Sequence, residues 1–348
     1  MPKIHLLSEE LINKIAAGEV IERPASVVKE LIENSLDAHA TRITIQIEDS
    51  GKKLIRVIDN GEGMDEEDAK QSVLRHATSK ILSSDDLFSI STLGFRGEAL
   101  ASIAAVSQLS ITTKQKDKIE GFNLLIEGGK LLSTGIAAAD VGTRIDIINL
   151  FYNTPARKKF LKTDQVEMKH IVDTVTRYAL INPGVAFMLR HEQYPVLQCP
   201  AVGSMLDRIA SLYGIQLIKD LLPLQFRNND VTISGYIAKP HQARNDRQYQ
   251  SIYVNNRWIR NEDITKAMYD AYHSLLFVNK HPVAVLHLEM NPATIDVNVH
   301  PTKSEIKIEQ IQTIKNAVFT AIRETLQQHS LIPVMDFQFE QQMTLRSE

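Results

Sequence analysis

One cysteine in 348 residues, Cys199, has no partner within the chain for a disulfide and gives no basis for a cysteine-built zinc site. The 11 histidines fall at no spacing that a metal ion would use, so a structural or catalytic zinc is not expected. No apolar run approaches the ~20 residues that a membrane-spanning helix needs. Nor do residues 1–10 carry the apolar stretch of a secretory signal. The expected location is therefore cytoplasmic, or nuclear if the source is eukaryotic. Charge of one sign is also missing. The 39 Lys and Arg against 42 Asp and Glu leave a net charge of −3, so composition by itself does not indicate nucleic-acid binding. No internal repeat is present. What remains is an ordinary globular composition, 43% hydrophobic and 23% charged, in a chain long enough for two domains with separate cores.

Three segments carry chemistry. In the first, Pro24 suits the opening position of a helix, where its missing N–H costs nothing. At about 100° per residue, Val27, Val28, Leu31, Ile32, Ser35 and Leu36 cover one half of that helix. Glu30, Asn34 and Asp37 form a narrow polar strip along its edge. Taken alone, this also describes a surface helix with solvated charges. Asn34 points further. Asn is a mediocre helix former, but its side-chain oxygen is a good neutral ligand for Mg²⁺, which takes hard oxygen donors alongside waters and phosphates. Glu30, one turn away, is the candidate to accept a proton from a water aligned on a terminal phosphate.

The second segment is Asp59-Asn60-Gly61-Glu62-Gly63-Met64. It closes the apolar run 54–58, which follows an alternating strand (Ile43, Ile45 and Ile47 against Thr44 and Gln46) through a hairpin at Asp49-Ser50-Gly51. A carboxylate at a strand end, with Gly61 and Gly63 letting backbone approach, can accept a hydrogen bond from an adenine amino group. A plain Asp-Asn-Gly turn has the same sequence. In the third segment Gly94 and Gly97 bracket Phe95-Arg96, and a helix start follows from Glu98. Free N–H groups and the positive end of the helix dipole favour a phosphate there. Between the last two segments, His76-Ala77-Thr78-Ser79-Lys80 is polar and basic and has the character of a lid.

In this order the segments resemble the ATPase class shared by DNA gyrase B, the large heat-shock chaperone, histidine kinases and MutL. Longer strings narrow the likeness to the MutL family of DNA mismatch-repair proteins: residues 15–20, 23–31, 76–80, 94–100, 151–161 and 296–303. The likeness runs from residue 4 to about residue 327. It implies an α+β fold, with a two-layer α/β sandwich ATPase domain over 1–200. A smaller α+β domain, resembling the second domain of a ribosomal protein, would cover 204–330, and a flexible linker would begin over 331–348. ATP and Mg²⁺ are the implied cofactors. Glu30 takes the role of general base, Asn34 of Mg²⁺ ligand and Asp59 of adenine contact, and Asp37, in the same polar strip, joins the nucleotide-binding set. Gly61 and Gly63 would line the base pocket, Thr78, Ser79 and Lys80 would belong to the lid, and Gly94, Phe95, Arg96 and Gly97 to the phosphate loop. Thr143 falls near the adenine, and Lys303 would reach from the second domain to the γ-phosphate.

Strands are expected near 107–113, 120–127, 131–134 and 142–149, with Gly128-Gly129 as a hairpin turn, and a helix over 164–180 stopped by Asn182-Pro183-Gly184. The segment 199–203 is the expected linker. Strands near 230–239, 250–259, 283–289 and 294–299, with helices over 262–275 and 310–327, would build the second domain around Trp258 in its core.

Two basic clusters stand out against the balanced charge: Arg157, Lys158, Lys159 and Lys162, then Arg244, Arg247, Arg257 and Arg260. Such clusters neutralise phosphates without reading sequence, and they equally describe a solvated basic face. The resemblance favours weak, sequence-independent contacts with DNA. It also implies a homodimer or paralogue heterodimer formed on ATP binding, ordered by residues 1–20 and by the lid around 76–93. A mismatch-recognition protein and downstream repair enzymes are the implied partners. The expected function is thus Mg²⁺-dependent ATP hydrolysis that drives dimerisation and modulates DNA binding. The alternative is a nucleotide-sensing clamp or scaffold with little hydrolysis, which would not need Glu30. A chaperone-like or topoisomerase-like ATPase is disfavoured by the strings at 94–100 and 151–161.

Overall fold

The structure, a computed structural model, describes His5 and residues 8–81, 92–94, 96–296 and 306–329. Its first part runs α1 (Glu9–Val20), α2 (Pro24–Asp37), β1 (Arg42–Glu48), β2 (Leu54–Asp59), α3 (Glu66–Gln71), α4 (Ala99–Ala105), β3 (Gln108–Lys114), β4 (Gly121–Glu127), β5 (Lys130–Ala137), β6 (Gly142–Ile148), α5 (Pro155–Phe160), α6 (Asp164–Ile181), β7 (Ala186–His191) and β8 (Tyr194–Cys199). The strands form one sheet in the order β5-β4-β3-β6-β2-β1-β7-β8. Neighbours are antiparallel except β1 and β7, which run parallel.

The period of two in β1 buries Ile43, Ile45 and Ile47 on one face. Helices α2 and α6 cover that face through Val27, Val28, Leu31 and Ile32 on one and Ile171, Val175 and Ala179 on the other. Register then decides what lies side by side at one end of the sheet. Asp59 pairs with Thr143 across β2 and β6, and Thr113 pairs with Thr143 across β3 and β6. Two hairpins use left-handed backbone as their sequences foretell: Asp49-Ser50-Gly51 and Gly128-Gly129 all have positive φ.

The second part contains α7 (Met205–Tyr213), α8 (Ile215–Ile218), β9 (Leu221–Arg227), β10 (Val231–Ala238), β11 (Gln250–Val254), β12 (Arg257–Ile259), α9 (Glu262–Ala271), β13 (Ala284–Met290), β14 (Ile295–Asp296), β15 (Lys307–Ile308) and α10 (Ile311–Gln328). A five-stranded sheet, β12-β11-β13-β10-β9, is covered on one face by α9 and α10 through Ile264, Met268, Val318 and Ile322. Its other face turns toward the first part. There Tyr253, Val285 and Ala238 meet Leu180 of α6 together with Ile209 of α7 and Leu217 of α8, and the Tyr253 hydroxyl donates to the Arg177 carbonyl at 2.7 Å.

Several expectations are corrected. Residues 250–259 are not one strand but two, because Asn255 and Asn256 both take positive φ and close a hairpin. The helix from 262 stops at Ala271. Strands β7, β8 and β9 were not anticipated. Pro195 and Pro223 argue against a strand on sequence grounds, but β8 and β9 are both edge strands, where a missing N–H is tolerated. Trp258 does not sit in the helix-covered core. It lies half-buried on the opposite face, between the guanidinium groups of Arg177 at 3.8 Å and Arg260 at 5.2 Å. The expected strand at 294–299 is seen at Ile295–Asp296, and its remaining residues fall outside those described, as does the expected linker at 331–348. Among the described residues, no helix is long and apolar enough to cross a membrane.

Candidate nucleotide site

At the end of the sheet where β2, β6 and β3 lie side by side, Asp59 is fixed from three directions. The Ser35 hydroxyl donates to its Oδ2 at 2.9 Å, and the N–H groups of Gly61 and Thr143 donate to its Oδ1 at 2.9 and 3.2 Å. Burial pushes the Asp59 carboxyl above its ordinary value of 3.8, while these three donors pull it back. Behind it, the Thr113 hydroxyl lies 3.1 Å from the Thr143 hydroxyl, donates to Gly142 O and accepts from the Met64 N–H. Gly63 has φ +70, and a Cβ there would stand 2.2 Å from the Lys114 carbonyl oxygen. Gly61 would place one 2.6 Å from the Ala38 carbonyl. The glycines are thus required by close approach of β2's exit to its neighbours.

The polar strip of α2 has the expected placement. Glu30 is buried, and Asn34 and Asp37 are half-buried, along the edge of the apolar face. Lys29 stands between two carboxylates, 2.9 Å from Glu30 Oε1 and 2.9 Å from Glu33 Oε1. Burial lowers the Lys29 pKa, but the two carboxylates outweigh it and the net shift is upward. Glu33, 1% exposed, also accepts from the Tyr178 hydroxyl of α6 at 2.5 Å. Burial, with Glu33 beside it, holds that phenol well above its usual range.

The phosphate edge is assembled from distant pieces. Asp37 accepts from Leu93 N and Gly94 N, both at 3.0 Å, so the end of α2 grips the start of the expected phosphate loop. Lys80 Nζ donates to Asn34 Oδ1 at 2.9 Å and to Asp37 Oδ2 at 2.5 Å. Its N–H is 3.2 Å from Thr78 Oγ1. His76 N donates to Gly97 O at 3.0 Å, and Gly97, at φ +62, leaves no room for a Cβ against the Ala77 carbonyl. The segments expected to form the lid and the phosphate loop are therefore in direct contact. Arg257 reaches the same place from β12, its Nη2 donating to Thr92 O at 3.2 Å and Leu93 O at 3.0 Å. Ser79 is exposed, and Arg96 and Thr78 are half-buried. Phe95 and Lys303 lie outside the described residues.

The basic clusters divide. Lys158, Lys159 and Arg260 are exposed, as an electrostatic surface requires. Arg157 instead donates to the Ile21 carbonyl at 2.5 Å, and its guanidinium occupies the space beside Gly18. Arg257 is 7% exposed and faces the first part of the chain. Its place as a DNA contact is corrected by that burial. Sequence reasoning also passed over Ser35, Thr113, Lys29, Glu33 and Tyr178. Periodicity puts Ser35 in the apolar half of α2, Lys29 and Glu33 pair one turn apart within that helix, a spacing the sequence does contain, and Thr113 and Tyr178 signal themselves only once strands and helices are paired.

Residues 21–127 match the model of the histidine kinase-, DNA gyrase B- and HSP90-like ATPases, and residues 209–327 match that of the DNA mismatch repair protein C-terminal domain. The chain is 45% identical over 333 residues to the DNA mismatch repair protein MutL of Geobacillus thermodenitrificans, covering 96% of this chain and 52% of the relative. It is 46% identical, with the same coverage, to that of Bacillus licheniformis. The chain thus spans about half the length of these relatives. Among solved structures it is similar to the N-terminal domain of a DNA repair protein, with TM-score 0.77 and 28% identity over 91% of this chain and 98% of that one. It is also similar to the Aquifex aeolicus MutL ATPase domain complexed with ADP, with TM-score 0.63 and 26% identity over 86% and 98%.

Proposed function

Because the chain belongs to the MutL family of DNA mismatch-repair proteins and carries that family's ATPase domain, we propose that it binds and hydrolyses ATP with Mg²⁺ and that nucleotide state sets its assembly. The observation that carries this reading is the convergence on one edge of α2. Glu30, Asn34 and Asp37 follow one another along that edge, with the Asp59 wall at one side and the 92–94 segment at the other.

Adenine would donate its amino hydrogen to Asp59, and the phosphates would run toward Gly94–Gly97. Glu30 takes the proton of a water whose oxygen attacks the γ-phosphorus, and the bond to the β–γ bridging oxygen breaks to release ADP and phosphate. Lys29 holds the Glu30 carboxylate in place while this happens. Bound Mg²⁺ would supply charge neutralisation for the phosphate oxygens. Asn34 fits as its ligand, since its amide oxygen already accepts a hydrogen bond from a cation, the Lys80 ammonium. Lys303 is proposed to contact the γ-phosphate, so Lys303→Ala should weaken ATP binding more than ADP binding. Exposed Lys158, Lys159 and Arg260 are the proposed DNA contacts, salt-dependent and without sequence preference. Dimerisation on ATP binding, with mismatch-recognition and downstream repair proteins as partners, completes the proposal. It is tested by sedimentation with and without a non-hydrolysable analogue.

The deciding experiment measures ATP hydrolysis with and without Mg²⁺ and DNA, on wild type and Glu30→Ala. Glu30→Ala should retain ATP binding and lose turnover by roughly 100-fold or more. Hydrolysis at the wild-type rate in that variant would remove Glu30 from the chemistry. Binding without turnover in the wild type would favour the nucleotide-sensing clamp.

A further inference from the structure

Arg257 belongs to the second sheet, yet its charge is directed at the first part of the chain. It sits on the edge strand β12, 7% exposed, with Nη2 shared between the carbonyls of Thr92 and Leu93. Among the described residues its Nη1 is buried with no hydrogen-bond partner. The same short segment is gripped from the other side. Asp37 takes the N–H groups of Leu93 and Gly94, and Thr92 Oγ1 donates to Gly94 O at 2.7 Å. Residues 92–94 are thus strung between an acid at the end of α2, which receives their amides, and a base on the second sheet, which donates to their carbonyls. A buried guanidinium that is only partly bonded is a poor device for stability, because its desolvation is large and apolar replacements are often neutral. As a mechanical link it is well suited, since the rigid, planar guanidinium presents one nitrogen to two carbonyls at once.

We propose that Arg257 is a positioning residue that ties the height of the phosphate loop above Asn34 to the placement of the second sheet. This rests on the ATPase reading above. A shift of β12 moves the Thr92 and Leu93 carbonyls with it, and the Gly94 N–H and Asp37 follow. The second part of the chain then influences the terminal phosphate through this link as well as through any group it contributes itself.

The test uses the whole chain with Arg257→Met and Arg257→Lys. It measures kcat, the affinities for a fluorescent ATP analogue and for its ADP counterpart, and thermal unfolding. Arg257→Met should lower kcat on the order of 10–100-fold, as misplacement of about 1 Å does. Its ADP affinity should stay within about threefold, and its ratio of ATP to ADP affinity should fall at least fivefold or so, with the unfolding midpoint unchanged. Arg257→Lys, which keeps the charge but not the fork, should fall between. Equal losses for both nucleotides that track a lowered midpoint would show a purely structural role and overturn the proposal, as would an unchanged kcat and ratio. If the wild type binds ATP without hydrolysing it, the ATPase reading fails while the affinity ratio still decides the coupling.

Discussion

The two sides of the proposed nucleotide site are built on opposite plans. The Asp59 wall is made of backbone: register places Asp59, Thr143 and Thr113 across neighbouring strands, and its glycines touch carbonyls directly. The proposed phosphate edge is made of side-chain charge, with Lys80, Asp37 and Arg257 reaching in from the expected lid, α2 and the second sheet. A wall tied into a sheet can move only if the sheet does. An edge held by ion contacts can rearrange when a triphosphate offers its own charge. Such an arrangement suits a site that must hold the base constantly and sense the phosphate conditionally.

The strongest way to break the wall is through Gly63. Its φ of +70 is strained for any residue with a Cβ, and that Cβ would fall 2.2 Å from a main-chain oxygen of Lys114, which cannot step aside as a side chain would. Gly63→Val should cost about 3 kcal/mol or more, combining backbone strain with overpacking. Gly135→Ala, on the exposed edge strand β5 with open space around it, is the control and should change stability by less than about 1 kcal/mol. Chemical denaturation of both variants checks this. Comparable midpoints would mean that the wall is as yielding as an exposed strand at the margin of the sheet.

Next in size is the reading of the base. In Asp59→Asn the amide oxygen can still accept from Gly61 and Thr143, and the new NH₂ can donate to the Ser35 hydroxyl. The fold should therefore survive. The adenine amino group would meet a donor where it needs an acceptor, costing about 1–3 kcal/mol, or roughly 10–100-fold in ATP affinity. Calorimetric titration with ATP and GTP distinguishes this from general damage, which would weaken both alike.

A smaller effect is expected at the edge. Lys80→Met removes the ammonium from Asn34 and Asp37, a pair only partly screened from solvent. Stability should change by about 1 kcal/mol or less, while ATP affinity should fall roughly tenfold as the lid loses its charge. A large loss of stability with normal binding would reverse the assignment of this contact.

The same contrast explains what the sequence revealed. Glu30, Asn34 and Asp37 share one helix edge, so helical periodicity groups them, and Asp59 stands as a carboxylate closing an apolar run, but their proposed roles come from the family resemblance. These are local signals. Lys29 and Glu33 pair one turn apart within α2, but Ser35, Thr113 and Tyr178 gain their meaning from pairs up to 145 residues apart, such as Tyr178 with Glu33. No spacing rule contains that distance. Arg257 was misread for the same reason: in sequence it is one more basic residue near Arg260, and only the packing of β12 against residues 92–93 removes it from the surface. The edge strands β8 and β9 were hidden by prolines whose cost depends on whether a neighbour exists.

The finest probe of the wall is pH. Burial raises the Asp59 pKa above 3.8 in the folded chain, against the opposing effect of its three donors. Between 3.8 and that raised value the native state binds more protons at this site than the unfolded chain does. The contribution of Asp59 to stability must therefore rise as pH falls through this window, and be lowest where the carboxylate is ionised. Adenine recognition runs the other way, because the ionised carboxylate is the better acceptor. ATP affinity should weaken as pH falls through the same window, by a factor smaller than that of the Asn substitution. Other acidic groups titrate nearby, so the quantity to follow is the difference between wild type and Asp59→Asn, which share them all. Fluorescence titration from about pH 7 down to about pH 4 should show the wild-type affinity converging on that of the variant before either unfolds. Parallel curves throughout would mean that the wall keeps Asp59 ionised, its three hydrogen bonds prevailing over burial.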